Sequence, residues 1–92
     1  MEKESDIELV SRVKSMIVRA VKLKILPETI ENNKPLFAGG IGLDSIDALE
    51  LVIALEKEFG VRIPDSAVGK KVLVSVDTIV SYIKEKKSGK PA

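Results

Sequence analysis

The stretch "GLDSIDALEL", from Gly42 to Leu51, holds the residues of this chain that are best suited to carry chemistry. The chain contains no Cys and no His, which excludes disulfides, Cys₂His₂-type metal sites and any Ser–His–Asp or Cys–His nucleophile. Ser45 stands between Asp44 and Asp47, and nothing places a lysine beside it as a base. We therefore predict a protein with no catalytic residues and no metal site of its own.

Two roles are open to the Ser45 hydroxyl at the start of a helix. Serine and aspartate are among the best N-cap residues, so Ser45 can be a structural cap. Asp44, with Asp47 three residues later, also resembles a capping pair, and then Ser45 takes the first helical position with its hydroxyl pointing outward. A phosphoester attached there would meet the positive end of the helix dipole. Both a cap and an attachment point are compatible with this pattern.

The glycines before Ser45 have a superficial likeness to a nucleotide-binding loop. No strand precedes "GIGLDS", the GxGxxG pattern is incomplete, and no Lys-Ser/Thr pair follows as in a Walker loop. We expect Gly39, Gly40 and Gly42 to give the loop room to approach the start of the helix instead.

Composition limits the remaining classes of function. A chain of 92 residues predicts one domain, 1–92, and 45% hydrophobic with 32% charged residues predicts a globular fold. Aromatic residues make up only 3%, which disfavours base stacking, and a net charge of +1 exerts no general attraction on nucleic acid. No apolar run can span a bilayer and "MEKESDIE" is not a signal peptide, so we expect a cytoplasmic protein.

Hydrophobic periodicity predicts three main helices. The first runs from about Asp6 to Lys24, and a capping box formed by Ser5 and Glu8 marks its start. The second runs from Asp44 or Ser45 to Phe59, with Gly60 as its C-terminal glycine. The last begins after Ser75, and its apolar stripe is Val76, Ile79, Val80 and Ile83.

The segments between these helices are less regular. Residues 25–43 form a long first loop whose length suggests a function, pinned to the core by Ile30, Leu36, Phe37 and Ile41. Residues 65–74 are predicted as one helical turn plus loop. The ordered core is expected over about 5–85, with residues 86–92 frayed. The predicted fold class is all-α, a small four-helix bundle of three main helices and one short one.

The second helix has two apolar faces and an excess of acids. Ala48, Leu51, Val52, Leu55 and Phe59 form one face, which fits a core contact. Ile46, Leu49 and Ile53 lie almost opposite, beside Asp47, Glu50 and Glu56. Either the long loop covers this second face, or it is a docking surface that draws basic partners. The bases Arg12, Lys14, Arg19, Lys22 and Lys24 of the first helix are interpreted as a solvated face.

The extended block "GLDSIDALELVIALEKEFGVRIPD", Gly42 to Asp65, resembles the acyl carrier proteins, a family of phosphopantetheine-attachment domains. Asp44 and Ser45 match the family's Asp-Ser-Leu motif, and Ile46 replaces its leucine. Upstream, "SRVKSMI" and "ENNKPLF" fit the family's first helix and loop, and "VDTIVSYI" fits its last helix. The resemblance covers nearly the whole chain.

This resemblance implies that Ser45 accepts 4′-phosphopantetheine from coenzyme A, transferred by a phosphopantetheinyl transferase with magnesium. The thiol of that arm would carry acyl groups for partner enzymes of the acyl-loading, ketosynthase or acyltransferase type. The resemblance also implies that the chain is a carrier and not an enzyme, and that it shelters acyl chains near Ala48, Val52 and Ile63. We expect a monomer. The partner-docking residues that the resemblance implies are Asp44, Ile46, Asp47, Leu49, Glu50, Ile53 and Glu56.

The chain differs from the carriers of bulk fatty-acid synthesis in three ways. It is not strongly acidic, its first helix is basic, and "GGIGLDS" replaces the commoner "DLGADS". We therefore expect a carrier of a specialised lipid, fatty-acid or polyketide-type pathway. Two alternatives are a peptidyl or aryl carrier loaded by an adenylating enzyme, which the acidic second helix disfavours, and an interaction module in which Ser45 is a cap or a phosphorylation site.

Overall fold

A computed structural model describes residues 6–37, 40 and 42–88. The helices are α1 (Asp6–Val21), α2 (Ser45–Phe59), α3 (Ser66–Val72) and α4 (Val76–Ser88). A 3₁₀ turn, Pro27–Thr29, interrupts the long first loop. Within these ranges there is no strand, and no helix is long and apolar enough to cross a membrane. The predicted all-α bundle with one short helix is confirmed.

Helix α1 ends at Val21, three residues before the predicted end at Lys24. Lys22 adopts a left-handed conformation with φ 56°, and the Leu23 N–H donates to the Val18 carbonyl at 3.1 Å. This six-to-one hydrogen bond is the mark of a Schellman motif, which normally uses glycine at the left-handed position. The prediction misses the end because lysine rarely takes this conformation.

The core lies where α1 packs against both α2 and α4. Residues at helical spacing on α1 face inward, and the side chains of Val13 and Ile17 are fully buried. They share one apolar cluster with the inner faces of the two other long helices. The largest fully buried side chains of the core are Met16, Ile17, Leu36, Leu51, Leu55, Ile79 and Ile83.

The long first loop is tied to the junction of α3 and α4 by backbone hydrogen bonds. The Leu36 N–H donates to the Val74 carbonyl at 2.9 Å, and the Asp77 N–H donates to the Asn32 carbonyl at 2.9 Å. Ile30 and Leu36 are buried as predicted, and Phe37 is half-buried. The fourth predicted anchor, Ile41, lies outside the described residues.

Helix α3 is longer than predicted, because the segment 65–74 forms a helix of 7 residues rather than one turn and a loop. The Asp65 carboxylate caps it, accepting from the Val68 N–H at 2.9 Å. At its other end the Leu73 N–H donates to the Gly69 carbonyl at 2.9 Å. The valines that suggest a strand instead contribute Val72 to the core.

Helix α4 begins after Ser75, as predicted, and ends later than predicted. Ser75 Oγ accepts from the Thr78 N–H at 3.4 Å, and Thr78 Oγ1 accepts from the Ser75 N–H at 2.9 Å. The helix continues to Ser88, so residues 86–88 are helical where the sequence predicts fraying. Lysines near the last turn favour this extension, because they face the negative end of the helix dipole. The remainder of the tail, 89–92, lies outside the described residues.

Candidate functional site

The start of α2 is closed by two aspartates. Asp44 Oδ1 accepts from the Asp47 N–H at 3.0 Å, and Asp47 Oδ2 accepts from the Asp44 N–H at 3.0 Å. This reciprocal capping box makes Asp44 the N-cap and Ser45 the first helical residue. The Ser45 side chain is exposed, and its hydroxyl makes no hydrogen bond to any described residue. The alternative in which Ser45 itself caps the helix is therefore wrong.

This position favours a negatively charged substituent on Ser45. The first N–H groups of a helix have no partner within it, and the helix dipole places partial positive charge there. The capping box satisfies the Asp47 N–H, while the amides of Ser45 and Ile46 donate no hydrogen bond to any described residue. A phosphoester on Ser45 fits this environment, because its oxygens can accept hydrogen bonds from such amides. Among the described residues, no group of three potential ligands is placed to hold a metal ion.

The loop reaches the start of α2 through glycines, as predicted. Gly42 has φ 91°, a conformation that other residues rarely adopt. A Cβ added at Gly40 would overlap the carbonyl of Pro35. The Leu43 N–H then donates to the Leu36 carbonyl at 3.0 Å, and Leu43 is buried. The chain is thus anchored one residue before the cap, which fixes where Ser45 stands. Gly39 lies outside the described residues.

The second apolar face of α2 is open to solvent. Ile46, Leu49 and Ile53 are 70%, 60% and 45% exposed, so the alternative in which the loop covers them is wrong. The acids around them form no ion pair with any residue of the described part of the chain. We call this surface the α2 face. Its members are Asp44, Ile46, Asp47, Leu49, Glu50, Ile53 and Glu56.

The C-terminal end of α2 is different, because its acid is paired with α1. Arg19 Nη1 lies 2.7 Å from Glu58 Oε2, and the hydrogen bond from Arg19 holds the pKa of Glu58 below its usual value. The guanidinium of Arg12 lies over the Phe59 ring, 4.5 Å from its centroid. The sequence predicts a solvated face for the basic stretch of α1, but two of its five bases contact α2. Among the residues that the structure describes, these contacts leave the acids nearer Ser45 unpaired.

An apolar groove of about 910 Å³ runs between α2 and α3 and begins beside Ser45. Ala48, Val52 and Ile63 line it, which are the three residues that the family resemblance implies. Leu49 also lines the groove and is exposed, so it belongs to both the groove and the α2 face. The other apolar walls come from distant segments of the chain and are not predicted from the sequence. They are Pro35, Phe37, Leu43, Gly69, Leu73 and Val74.

The helical fold, the exposed Ser45 at a helix start and the adjoining groove are the features expected of a small carrier domain. Known proteins agree: the family model for the phosphopantetheine attachment site matches residues 11–83. The chain is 42% identical to the acyl carrier protein of Zymomonas mobilis subsp. mobilis over 77 residues, which is 84% of this chain and 92% of that protein. It is 36% identical to the acyl carrier protein of Campylobacter hominis over 76 residues, 83% of this chain and 90% of that protein.

The chain belongs to the acyl carrier protein family. Domains of this family carry 4′-phosphopantetheine covalently, and they are carriers rather than enzymes. Their partners are enzymes, among them a phosphopantetheinyl transferase. The absence of Cys from the chain is consistent with this role, because the thiol that bears the cargo comes with the cofactor.

Proposed function

We propose that Ser45 is the residue to which 4′-phosphopantetheine is attached, and that the chain carries acyl groups as thioesters on that arm. The observation that carries this proposal is the division of roles at the start of α2. Asp44 caps the helix, and the Ser45 hydroxyl is exposed without a hydrogen bond to any described residue. When bound, the arm supplies a terminal thiol that forms thioesters. The helix N-terminus stabilises the phosphodiester formed on Ser45.

In the attachment step, Ser45 Oγ attacks the phosphorus of coenzyme A that bears the pantetheine. A new Oγ–P bond forms, the bond from that phosphorus to the bridging oxygen breaks, and adenosine 3′,5′-bisphosphate leaves. The hydroxyl proton passes to a base of the phosphopantetheinyl transferase, which also supplies the magnesium ion. The exposed position of Ser45 supports this step, because an external enzyme must reach the oxygen.

We propose that partner enzymes dock on the α2 face. Exposed apolar side chains rimmed by charge are typical of protein contacts, and unpaired carboxylates attract a basic partner surface. Ile46 and Leu49 stand within one helical turn or so of Ser45, so an enzyme bound there is next to the attachment point. The acyl-loading, ketosynthase and acyltransferase-type enzymes expected from the sequence are candidates for this contact.

The groove between α2 and α3 is the proposed shelter for the acyl chain. Its start beside Ser45 and its mostly apolar walls support this role, because alkyl chains gain free energy when they leave water. The mixed charge of the chain, +1 overall, supports a specialised lipid, fatty-acid or polyketide-type pathway. The acidic α2 face favours such acyl partners over an adenylating enzyme. Cytoplasmic location and a monomeric state are parts of the same proposal.

Intact-mass spectrometry tests the attachment residue. The wild type, Ser45→Ala and Ser66→Ala are each incubated with coenzyme A, magnesium and a broad-specificity phosphopantetheinyl transferase. Ser66 is the matched control, because it is also an exposed first helical residue that follows a capping aspartate. We expect the wild type and Ser66→Ala to gain one phosphopantetheine and Ser45→Ala to gain none. Circular dichroism of Ser45→Ala should stay helical, because Asp44 still caps α2.

Two results would contradict this proposal. A mass gain that persists in Ser45→Ala would place the arm on another residue. A folded wild type that gains no mass would favour the alternative in which the chain is an interaction module. Global unfolding of Ser45→Ala would show instead that the side chain has a structural role.

A further inference from the structure

Gly69 is a buried glycine in the interior of α3 that the fold does not require. Its φ is not positive, so the backbone there suits any L-residue. A Cβ added to it would meet only Ile63 Cγ2, at 3.6 Å, which is an ordinary van der Waals contact. Glycine within a helix is destabilising relative to alanine. Neither conformation nor crowding therefore explains the absence of a side chain.

The surroundings of Gly69 indicate what the missing side chain leaves open. Gly69 lines the groove on the α3 side, together with Ile63, while Ala48 and Val52 line it from α2. Apart from Ile63 Cγ2, no atom of another described segment lies within 4 Å of the added Cβ. A larger side chain at position 69 would therefore extend into the groove and occupy space between the two helices.

We propose that Gly69 determines the length of acyl chain that the groove holds, and that the groove accepts chains of medium or greater length. The inference rests on the proposed function of Ser45 and of the groove. Ala48 on α2 and Gly69 on α3 both line the groove, and as small residues they leave the space between the two helices open at these positions. A branched residue at position 69 would shorten this space and would restrict the groove to short acyl groups.

The thermal stability of acylated forms tests this inference. A broad-specificity transferase with butanoyl-, octanoyl- or dodecanoyl-coenzyme A converts wild type, Gly69→Leu and Ala67→Leu to acyl carriers, and intact mass verifies loading. Ala67 is the matched control, because it lies exposed on the same helix and does not line the groove. The readouts are Tm relative to the form with the bare arm, and the rate at which hydroxylamine cleaves the thioester.

In the wild type we expect Tm to rise and cleavage to slow as the acyl chain lengthens, because more apolar surface is buried. Ala67→Leu should follow the wild type. Gly69→Leu should lose about half or more of the rise in Tm between the butanoyl and dodecanoyl forms, since the added side chain fills the groove. Gly69→Ala, which suits a helix better than glycine, should show a smaller loss in the same direction.

A Gly69→Leu profile that coincides with that of Ala67→Leu would overturn the inference. If Gly69→Leu does not fold, Gly69→Ala provides the test. A Gly69→Ala profile equal to that of the wild type would then overturn the inference. A wild-type Tm that does not depend on chain length would also overturn it, while the verified mass gain would leave attachment at Ser45 standing. Failure of loading in the wild type would instead remove the proposed function itself.

Discussion

Helices α2 and α3 begin in the same way but differ in length, packing and surface charge. In each, an aspartate carboxylate accepts the N–H three residues later, Asp44 from Asp47 at 3.0 Å and Asp65 from Val68 at 2.9 Å. In each, an exposed serine takes the first helical position, and both serines line the groove. An aspartate-serine pair at a helix start therefore does not by itself distinguish a carrier site.

The two helices differ in how they pack against the rest of the fold and in their surface charge. Helix α2 has 15 residues, and its inner side chains, such as Leu51 and Leu55, are fully buried. Helix α3 has 7 residues, packs mainly on α4, and carries Lys70 and Lys71 in its last turn. The serine of α2 thus stands on a firmly held helix beside acids and exposed apolar side chains. The two helix starts therefore differ in the surface around the serine and not in the serine motif itself.

The largest expected effect comes from reversing a charge on α2. Glu50→Lys should lower the rate of phosphopantetheine transfer to the chain by about tenfold, because it places a cation where a basic partner is expected to dock. Leu49→Lys should act in the same direction. Lys71→Glu on α3 is the control and should leave the rate unchanged. Transfer is followed by intact mass over time, with circular dichroism to verify folding.

Equal transfer rates for Glu50→Lys and Lys71→Glu would show that the enzyme does not distinguish the two helices by charge. The docking role of the α2 face would then be wrong, although attachment at Ser45 would be unaffected.

Removal of the two caps should have a smaller effect, and an unequal one. Asp44→Ala should lower the free energy of unfolding by about 1 kcal/mol, because it removes a reciprocal capping box from a helix of the core. Asp65→Ala should cost less, roughly 0.5 kcal/mol, because a short peripheral helix can open locally. Urea denaturation of both variants measures the difference. Equal losses would mean that α3 is as firmly coupled to the core as α2.

The smallest effect concerns the C-terminal end of α2, where Glu58 pairs with Arg19. Glu58→Gln should destabilise the chain by about 0.3 kcal/mol at neutral pH, as is usual for a surface ion pair. Because the hydrogen bond from Arg19 lowers the pKa of folded Glu58, this contribution is complete above the unfolded pKa, near 4.5. It is lost as the pH falls through the folded pKa.

Urea denaturation across acidic and neutral pH measures this dependence. Glu56→Gln is the control, since Glu56 has no ion pair within the described residues and its removal should leave stability nearly unchanged. A Glu58 variant whose loss does not shrink with acid would show that the pair does not anchor α2 in this way.

Both ends of α2 are predictable from sequence, and those of α1 and α3 only in part. Asp44 and Gly60 are strong local signals, and they mark the bounds of α2 correctly. The end of α1 is predicted too late because Lys22 takes a left-handed conformation that glycine normally provides. Helix α3 is predicted too short because Gly69 and the valines around it are weak helix formers, and Asp65 and packing on α4 decide its length.

The candidate site, like the helices, can be predicted from the sequence only in part. The periodicity of α2 correctly predicts two apolar faces, but it cannot tell whether the loop covers one of them, since that depends on long-range contacts. The groove is only partly predictable, because Phe37 and Leu73 come together through hydrogen bonds between the loop and the α3–α4 junction. No sequence pattern marks Gly69 as a groove residue, and its position in the lining is known only from the structure.

The capping box at Asp44 and Asp47 has a consequence for how a loaded carrier is recognised. Within the described part of the chain, the hydroxyl of Ser45 takes part in no hydrogen bond that holds α2 together, so attachment of the proposed arm would break none of the capping hydrogen bonds. If Ser45 bears the arm as proposed, the cap of α2 is the same in the empty and in the loaded carrier. On this proposal, an enzyme that distinguishes an empty carrier from a loaded one would do so by contact with the acyl group or with the groove.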